Sequence, residues 1–162
     1  MLFYYHIYVN ELTFNSRSAE ETTLLGERLA QVLLSKGFVR TIISLEGELG
    51  SGKTVLAKGL ARGIQSTDPV DSPTFVFLHV HKGIIPLYHF DLYRISTPEE
   101  LDELGFFEYL ERTGIIVIEW GEKVKDIIEP DIQVNIIKSG ENEREIHMTL
   151  REEILDENFS IE

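Results

Sequence analysis

A glycine-rich run that ends in lysine and threonine is the part of this sequence best suited to chemistry. It consists of Gly47, Glu48, Leu49, Gly50, Ser51, Gly52, Lys53 and Thr54. Glycines let the backbone curl so that successive N–H groups point inward, and a following helix adds its N-terminal donors. In such a loop the lysine reaches the β- and γ-phosphates and the hydroxyl binds Mg²⁺. The run therefore predicts a P-loop for ATP or GTP with Mg²⁺.

Two acidic residues follow apolar runs further along the chain and could complete this site. Asp91 comes after the run 87–90, and Glu119 comes after the run 115–118. Both are expected at carboxyl ends of strands, where open α/β sheets bind ligands. Each could hold Mg²⁺ or its waters, orient the attacking nucleophile, or simply be a solvated strand end. The division of roles between the two acids stays open.

Three other kinds of residue receive weaker interpretations. Trp120, the single tryptophan, could pack on the nucleotide or belong to the core. Arg94 could contact phosphate or pair with nearby carboxylates. The five histidines show no ligand-like spacing, so ordinary core or surface positions are expected for them.

A sheet with helices is needed to position these residues. We expect strands at 11–15, 41–45 and 115–118, the last one central and parallel because its apolar run is continuous. We expect a helix over 19–36 with Ser18 as its N-cap, and a second helix over 53–64. A third helical stretch is expected to start at Pro98 and to be broken at Gly105. Two hairpins are expected, 74–80 with 84–90 and 131–138 with 143–150. The order predicts a P-loop NTPase-type α/β three-layer sandwich with a mixed, largely parallel central sheet and helices on both faces.

Composition limits the possible functions. The 162 residues fit a single domain, 1–162, with an N-terminal leader strand at 1–10 and a frayed acidic tail at 152–162. A net charge of −13 argues against gripping a nucleic-acid backbone alone. The chain has no cysteine, which excludes disulfides, thiol nucleophiles and Cys-based zinc sites. No signal peptide or membrane span is evident, so a cytoplasmic location is expected.

Later motifs make the P-loop more specific. Ser72-Pro73-Thr74, Asp91-Leu92-Tyr93-Arg94 and Glu119-Trp120 follow it in this order. In so short a chain this series closely resembles the bacterial TsaE (YjeE) family, and the match runs through most of the chain. TsaE proteins are small ATPases needed for threonylcarbamoyl modification (t6A) of the adenosine beside the anticodon of tRNA.

The resemblance implies a helper ATPase, weak without its partners, that hydrolyses ATP while bound to TsaB and TsaD. TsaD would carry the transferase chemistry, and tRNA would be contacted only through the complex. The resemblance assigns catalytic roles to Lys53, Asp91 and Glu119, and a switch-like segment to Ser72 and Thr74. Mg²⁺ would be held by Thr54, Glu119 and Asp91. Nucleotide binding is assigned to Glu48, Leu49, Gly50, Ser51, Gly52, Lys53, Thr54, Val55 and Trp120.

Two rival functions remain. A P-loop small-molecule kinase would need extra cations over the transferred group, and the sequence shows no Arg-rich stretch that resembles a lid. A GTP-dependent regulatory switch would need a means of recognising guanine, and the Asn-Lys-x-Asp run of switch GTPases is absent. ATP hydrolysis is therefore the preferred hypothesis.

Overall fold

The computed structural model describes residues 10–68 and 77–154, which build a seven-stranded sheet flanked by helices. The strands are Asn10–Ser16 (β1), Arg40–Glu46 (β2), Leu78–His81 (β3), Leu87–Asp91 (β4), Gly114–Glu119 (β5), Ile132–Lys138 (β6) and Arg144–Leu150 (β7). The helices are Ala19–Ser35 (α1), Lys53–Gly63 (α2), Pro98–Glu103 (α3) and Phe106–Leu110 (α4). A 3₁₀ turn over Gly121–Val124 follows β5.

The sheet has the mixed, largely parallel character that the sequence predicts. Its strand order is β1-β7-β6-β2-β5-β4-β3. The four central strands β6, β2, β5 and β4 are parallel, whereas β1, β7 and β3 add antiparallel pairs at the two sides. Every residue of β5 is buried, as a continuous apolar run in a central parallel strand requires.

Helices cover both faces of the sheet, which confirms the predicted three layers. Side chains alternate along each strand, so Ile43 and Leu45 of β2 pack under α1 and α2. Ile42 points to the opposite face, where it joins the cluster that contains Leu101 of α3 and Phe106 of α4. The loop between β2 and α2 is therefore fixed at both ends by buried elements.

The predicted N-cap of α1 is confirmed, because the Ser18 hydroxyl accepts the N–H of Glu21 at 3.1 Å. The helix then packs closely on α2 through two glycines, Gly26 and Gly59. A Cβ at Gly59 would collide with the carbonyl oxygen of Thr23, so only glycine allows this approach. Close packing against α1 holds α2 in place, and α2 carries the first residues after the P-loop.

Both predicted hairpins form, but the first has a longer loop than expected. Strand β4 begins at Leu87 rather than at Ile84, and β3 begins at Leu78. The Ile84 N–H donates to the carbonyl of Ile64 at the end of α2, and Pro86 has no N–H to offer a ladder. Residues 74–76 of the predicted strand lie outside the described residues.

The two ends of the chain are described only in part. The predicted strand at 11–15 is present as β1, an edge strand paired antiparallel with β7. Residues 1–9 of the predicted leader and 155–162 of the predicted tail lie outside the described part. At the beginning of the tail, Glu152 and Glu153 are exposed, whereas Ile154 is only 3% exposed and joins the core under α1 and α2.

Candidate functional site

The P-loop joins the carboxyl end of β2 to the first turn of α2. Gly50 and Gly52 adopt φ values of 76° and 116°, a left-handed region that residues with a Cβ seldom occupy. Gly52 directly precedes α2, which leaves the first backbone N–H groups of that helix at the loop. The loop thus ends directly at the positive end of the α2 dipole, an arrangement that suits a phosphate group.

Lys53 lies folded against this loop. Its ammonium donates to the carbonyl oxygens of Gly47 and Glu48 at 2.6 and 2.9 Å. Burial lowers the pKa of Lys53 below its ordinary value of 10.5, while the carboxylates of Glu119, Glu122 and Asp91 oppose the shift. A buried cation beside phosphate-binding N–H groups can neutralise the charge of a bound triphosphate.

Thr54 and Glu119 meet directly, although they come from different elements. The Thr54 hydroxyl, in the first turn of α2, donates to the carboxylate that ends β5, with 2.8 Å to Oε1 and 3.1 Å to Oε2. Glu119 is only 3% exposed. The hydroxyl that a P-loop uses for Mg²⁺ thus lies beside a buried strand-end carboxylate.

The chemistry of these donors fits Mg²⁺. Hydroxyl and carboxylate oxygens are hard ligands, and protein Mg²⁺ sites usually combine one or two carboxylates with substrate phosphates and water. No group of three or more His, Asp or Glu side chains that could hold a metal ion occurs within 10–68 and 77–154. An ion held at Thr54 and Glu119 would therefore take other ligands from nucleotide oxygens and water.

Asp91 lies next to Glu119 across two parallel strands. The two residues are partners in the β4/β5 register, so both occupy the carboxyl edge of the sheet. Oδ1 of Asp91 accepts the N–H of Tyr93 at 2.9 Å, which holds the side chain at the strand end. Asp91 also acts on the charge of Lys53. The structure thus brings both predicted acids to the P-loop.

Trp120 contacts Lys53 and directly follows Glu119 in the chain. Its ring centroid lies 3.9 Å from the Lys53 ammonium and 5.1 Å from the ring centroid of Tyr93. With φ at 63°, Trp120 is in a conformation that is unusual for a bulky residue, and such strain tends to occur at functional sites. The residue is partly buried, so its ring both contacts Lys53 of the P-loop and packs against the core cluster that contains Phe90 and Phe106.

The remaining predicted residues have varied positions. Leu49 at the loop tip is 76% exposed, and Glu48 is also exposed. Ser51 is buried, while Val55 is half-buried in the first turn of α2. The predicted switch residues Ser72 and Thr74 lie outside the described residues, so their assignment stays a prediction.

Sequence reasoning missed two residues at this site. Nε2 of the fully buried His89 lies 2.8 Å from Oε1 of Glu119, although the histidines were expected in ordinary positions. The available signal was its spacing from Asp91, because residues i and i+2 of a strand share a face. Arg144 of β7 donates through Nε to the carbonyl oxygen of Ser51 at 2.6 Å, and no local pattern indicated that contact.

None of the helices described within 10–68 and 77–154 combines the length and the apolar character needed to cross a bilayer.

Comparison with known proteins agrees with this architecture. The model of the family described as threonylcarbamoyl adenosine biosynthesis protein TsaE matches residues 16–146. The tRNA threonylcarbamoyladenosine biosynthesis protein TsaE of Bacillus subtilis is 33% identical over 159 residues, which cover 94% of this chain and 96% of the relative. Its namesake from Treponema pallidum is 37% identical over 132 residues, 81% of this chain and 95% of the relative.

A solved structure supports the same conclusion. The crystal structure of Bacillus subtilis YdiB superposes with a TM-score of 0.69 at 31% identity, covering 88% of this chain and 86% of that one. The family match spans the P-loop and both strand-end acids. The chain therefore belongs to the TsaE family of threonylcarbamoyl adenosine biosynthesis proteins.

Proposed function

We propose that this protein is an ATP-binding and ATP-hydrolysing subunit that supports t6A modification of tRNA together with TsaB and TsaD. The proposal rests chiefly on the Thr54–Glu119 hydrogen bond, which places a Mg²⁺-type hydroxyl and a strand-end carboxylate beside a P-loop. The names of the relatives supply the modification, and the family resemblance noted in the sequence supplies the two partners.

The loop binds the phosphates of ATP in this proposal. Backbone N–H groups of Gly50 and Gly52 bind the phosphate oxygens, with the dipole of α2 behind them, while the Ser51 N–H donates to the carbonyl oxygen of Glu48 at 3.0 Å. Lys53 exchanges the carbonyl oxygens of Gly47 and Glu48 for the β- and γ-phosphates. Charge that develops on the transferred group then meets a cation that is already in place, and preorganised charges of this kind lower the barrier to phosphoryl transfer.

Thr54 and Glu119 hold Mg²⁺, and Asp91 serves the metal or the attacking water. Bound Mg²⁺ would neutralise phosphate charge and align the terminal phosphoryl group. Glu119 is held at the end of β5, and Asp91 lies one strand away, at the distance of neighbouring parallel strands. Trp120 lies over Lys53 and borders the nucleotide.

Contact with tRNA is indirect in this account. A chain with a net charge of −13 repels a phosphate backbone, so basic partners must supply the contact. In this proposal the protein acts in the cytoplasm and contributes ATP hydrolysis to a complex whose transferase chemistry belongs to TsaD.

Complementation tests this function. A bacterium depleted of its own TsaE-family protein would express this chain, and mass spectrometry of tRNA nucleosides would report t6A. The wild-type chain and the exposed-lysine control Lys58→Ala should restore t6A, whereas Lys53→Ala should not. Loss of t6A rescue by the wild-type chain, or full rescue by Lys53→Ala, would overturn the proposal.

A further inference from the structure

A buried histidine on β4 contacts the carboxylate that the proposed function assigns to Mg²⁺. His89 has no solvent exposure, and its Nε2 lies 2.8 Å from Oε1 of Glu119. The same oxygen accepts the hydroxyl hydrogen bond of Thr54 at 2.8 Å. One carboxylate oxygen therefore joins the interior of β4 to the first turn of α2.

The direction of this hydrogen bond follows from its partners. An ionised carboxylate only accepts hydrogen bonds, so the hydrogen lies on Nε2 of His89. Nδ1 of the ring is buried and has no hydrogen-bond partner among residues 10–68 and 77–154. Within that part of the chain, Glu119 is the only hydrogen-bond partner of this imidazole.

The strand geometry explains why a histidine here reaches the site. His89 pairs with Val117 in the β4/β5 register, one alternation before the Asp91 and Glu119 pair. Residues two apart on a strand share a face, so His89, Asp91 and Glu119 project towards the side covered by α2. The imidazole therefore approaches the carboxylate from the protein interior, opposite the open loop.

Burial alone does not produce such a contact, as a second histidine demonstrates. His81 at the end of β3 is equally buried, yet neither of its ring nitrogens has a hydrogen-bond partner within the described residues. Its ring centroid lies 6.0 Å from that of His89. The two histidines share burial and neighbourhood, and they differ in the bond to Glu119.

We infer that His89 is a positioning residue that holds the Glu119 carboxylate in the orientation that binds Mg²⁺, an inference that rests on the proposed Mg²⁺–nucleotide site. A hydrogen bond to Oε1 restricts rotation of the carboxylate in a site that also has to accommodate Thr54. Loss of groups that orient metal ligands typically weakens metal binding 10- to 100-fold.

The test compares two side chains of similar length. His89→Gln keeps an N–H donor that can reach Glu119, whereas His89→Met removes the donor, and His81→Leu serves as a buried-histidine control. Trp120 fluorescence would follow ADP binding over a Mg²⁺ series and in EDTA. We expect His89→Met to raise the half-saturating Mg²⁺ concentration about 10- to 100-fold, with EDTA binding unchanged. His89→Gln and His81→Leu should stay within about threefold of wild type.

The results distinguish failure of the His89 positioning role from failure of the proposed Mg²⁺–nucleotide site. If wild type binds ADP with Mg²⁺ dependence and His89→Met matches it, the positioning role is wrong and the site stands. If wild type itself shows no Mg²⁺-dependent nucleotide binding, the proposed function fails as well.

If the His89 variants do not fold, the same inference can be tested by NMR on the wild-type protein. In ¹H–¹⁵N spectra of the histidine rings, the His89 Nε2 signal should shift when Mg²⁺ is added to the ADP complex, whereas the His81 signals should stay fixed. A His89 signal that does not respond would overturn the inference.

Discussion

The hydroxyl of Thr54 donates to the carboxylate of Glu119 at 2.8 Å, although 65 residues separate them in the chain. The bond connects the first turn of α2, directly after the P-loop, to the end of β5. It is therefore the point at which the phosphate-binding and metal-binding halves of the proposed site meet.

Replacing Lys53 with alanine should weaken nucleotide binding without unfolding the protein. The ammonium contributes charge-assisted hydrogen bonds to phosphates, so ATP affinity should fall about 10- to 100-fold. Because burial lowers the pKa of Lys53, its charge carries a cost in the folded state that alanine removes. The free energy of unfolding at pH 7 should stay within about 1 kcal/mol of wild type. Calorimetric titration, with Lys58→Ala as the control, measures the affinity.

Glu119→Gln and Asp91→Asn should separate the roles of the two acids. Thr54 contacts Glu119, so Glu119→Gln should raise the half-saturating Mg²⁺ concentration for nucleotide binding by at least about tenfold. Asp91→Asn should slow hydrolysis about 10²- to 10⁴-fold, as loss of a general base does, with a smaller change in Mg²⁺ dependence. A reversed pattern would exchange the two assignments.

Arg144→Met should loosen the P-loop, although Arg144 lies 93 residues after Ser51 in the chain. The guanidinium connects the β6–β7 hairpin to the loop, with donors to the carbonyls of Ser51 and Glu143 at 2.6 and 2.8 Å. Hydrogen bonds from charged groups contribute about 1.5–3 kcal/mol, so ADP should bind about tenfold more weakly. Lys138→Met is the control, because it removes a positive charge from the strand partner of Arg144. This variant should bind ADP with wild-type affinity. If the Arg144→Met and Lys138→Met variants bound ADP with equal affinity, Arg144 would not stabilise the P-loop for nucleotide binding.

His81 should make the protein less stable in mild acid. Burial, followed by the neighbouring His79 and His89, lowers the pKa of His81 to about 4, while Asp68 acts in the opposite direction. The unfolded chain takes up this proton near pH 6.5 and the folded chain near pH 4. Stability from this group is therefore complete above pH 6.5, falls between pH 6.5 and 4, and levels off below that.

The His81→Leu variant measures this contribution. At pH 5 it should recover up to about 2 kcal/mol relative to wild type, given about 1.4 kcal/mol per pKa unit. At pH 7.5 the two proteins should differ by much less. Denaturant unfolding at both pH values provides the comparison, and identical pH profiles would show that His81 does not titrate in this range.

Local patterns were sufficient to predict much of the fold. The P-loop, the Ser18 cap and the β5 run depend on residues adjacent in sequence, so periodicity and turn chemistry identify them. The first hairpin was placed less well, because its loop is fixed by a contact between Ile84 and Ile64 that lies outside any local window.

The parts of the site that sequence reasoning missed depend on register between distant strands. His89 reaches Glu119 only because β4 and β5 pair so that His89 lies opposite Val117. Arg144 reaches Ser51 only because β6 lies between β7 and β2, which brings the hairpin end to the P-loop. Neither contact produces a pattern between residues close in sequence, so His89 and Arg144 were not predicted. The two acids were predicted because each directly follows an apolar strand.

Steady-state phosphate release tests the central claim most directly. The purified protein would be assayed with ATP and Mg²⁺, alone and with TsaB and TsaD from the same organism, using Lys53→Ala as the blank and GTP as competitor. The proposed function predicts low activity alone, a strong increase with the partners, preference for ATP, and no activity in the blank. Partner-independent activity, preference for GTP, or phosphate transfer to a metabolite instead of water would contradict it.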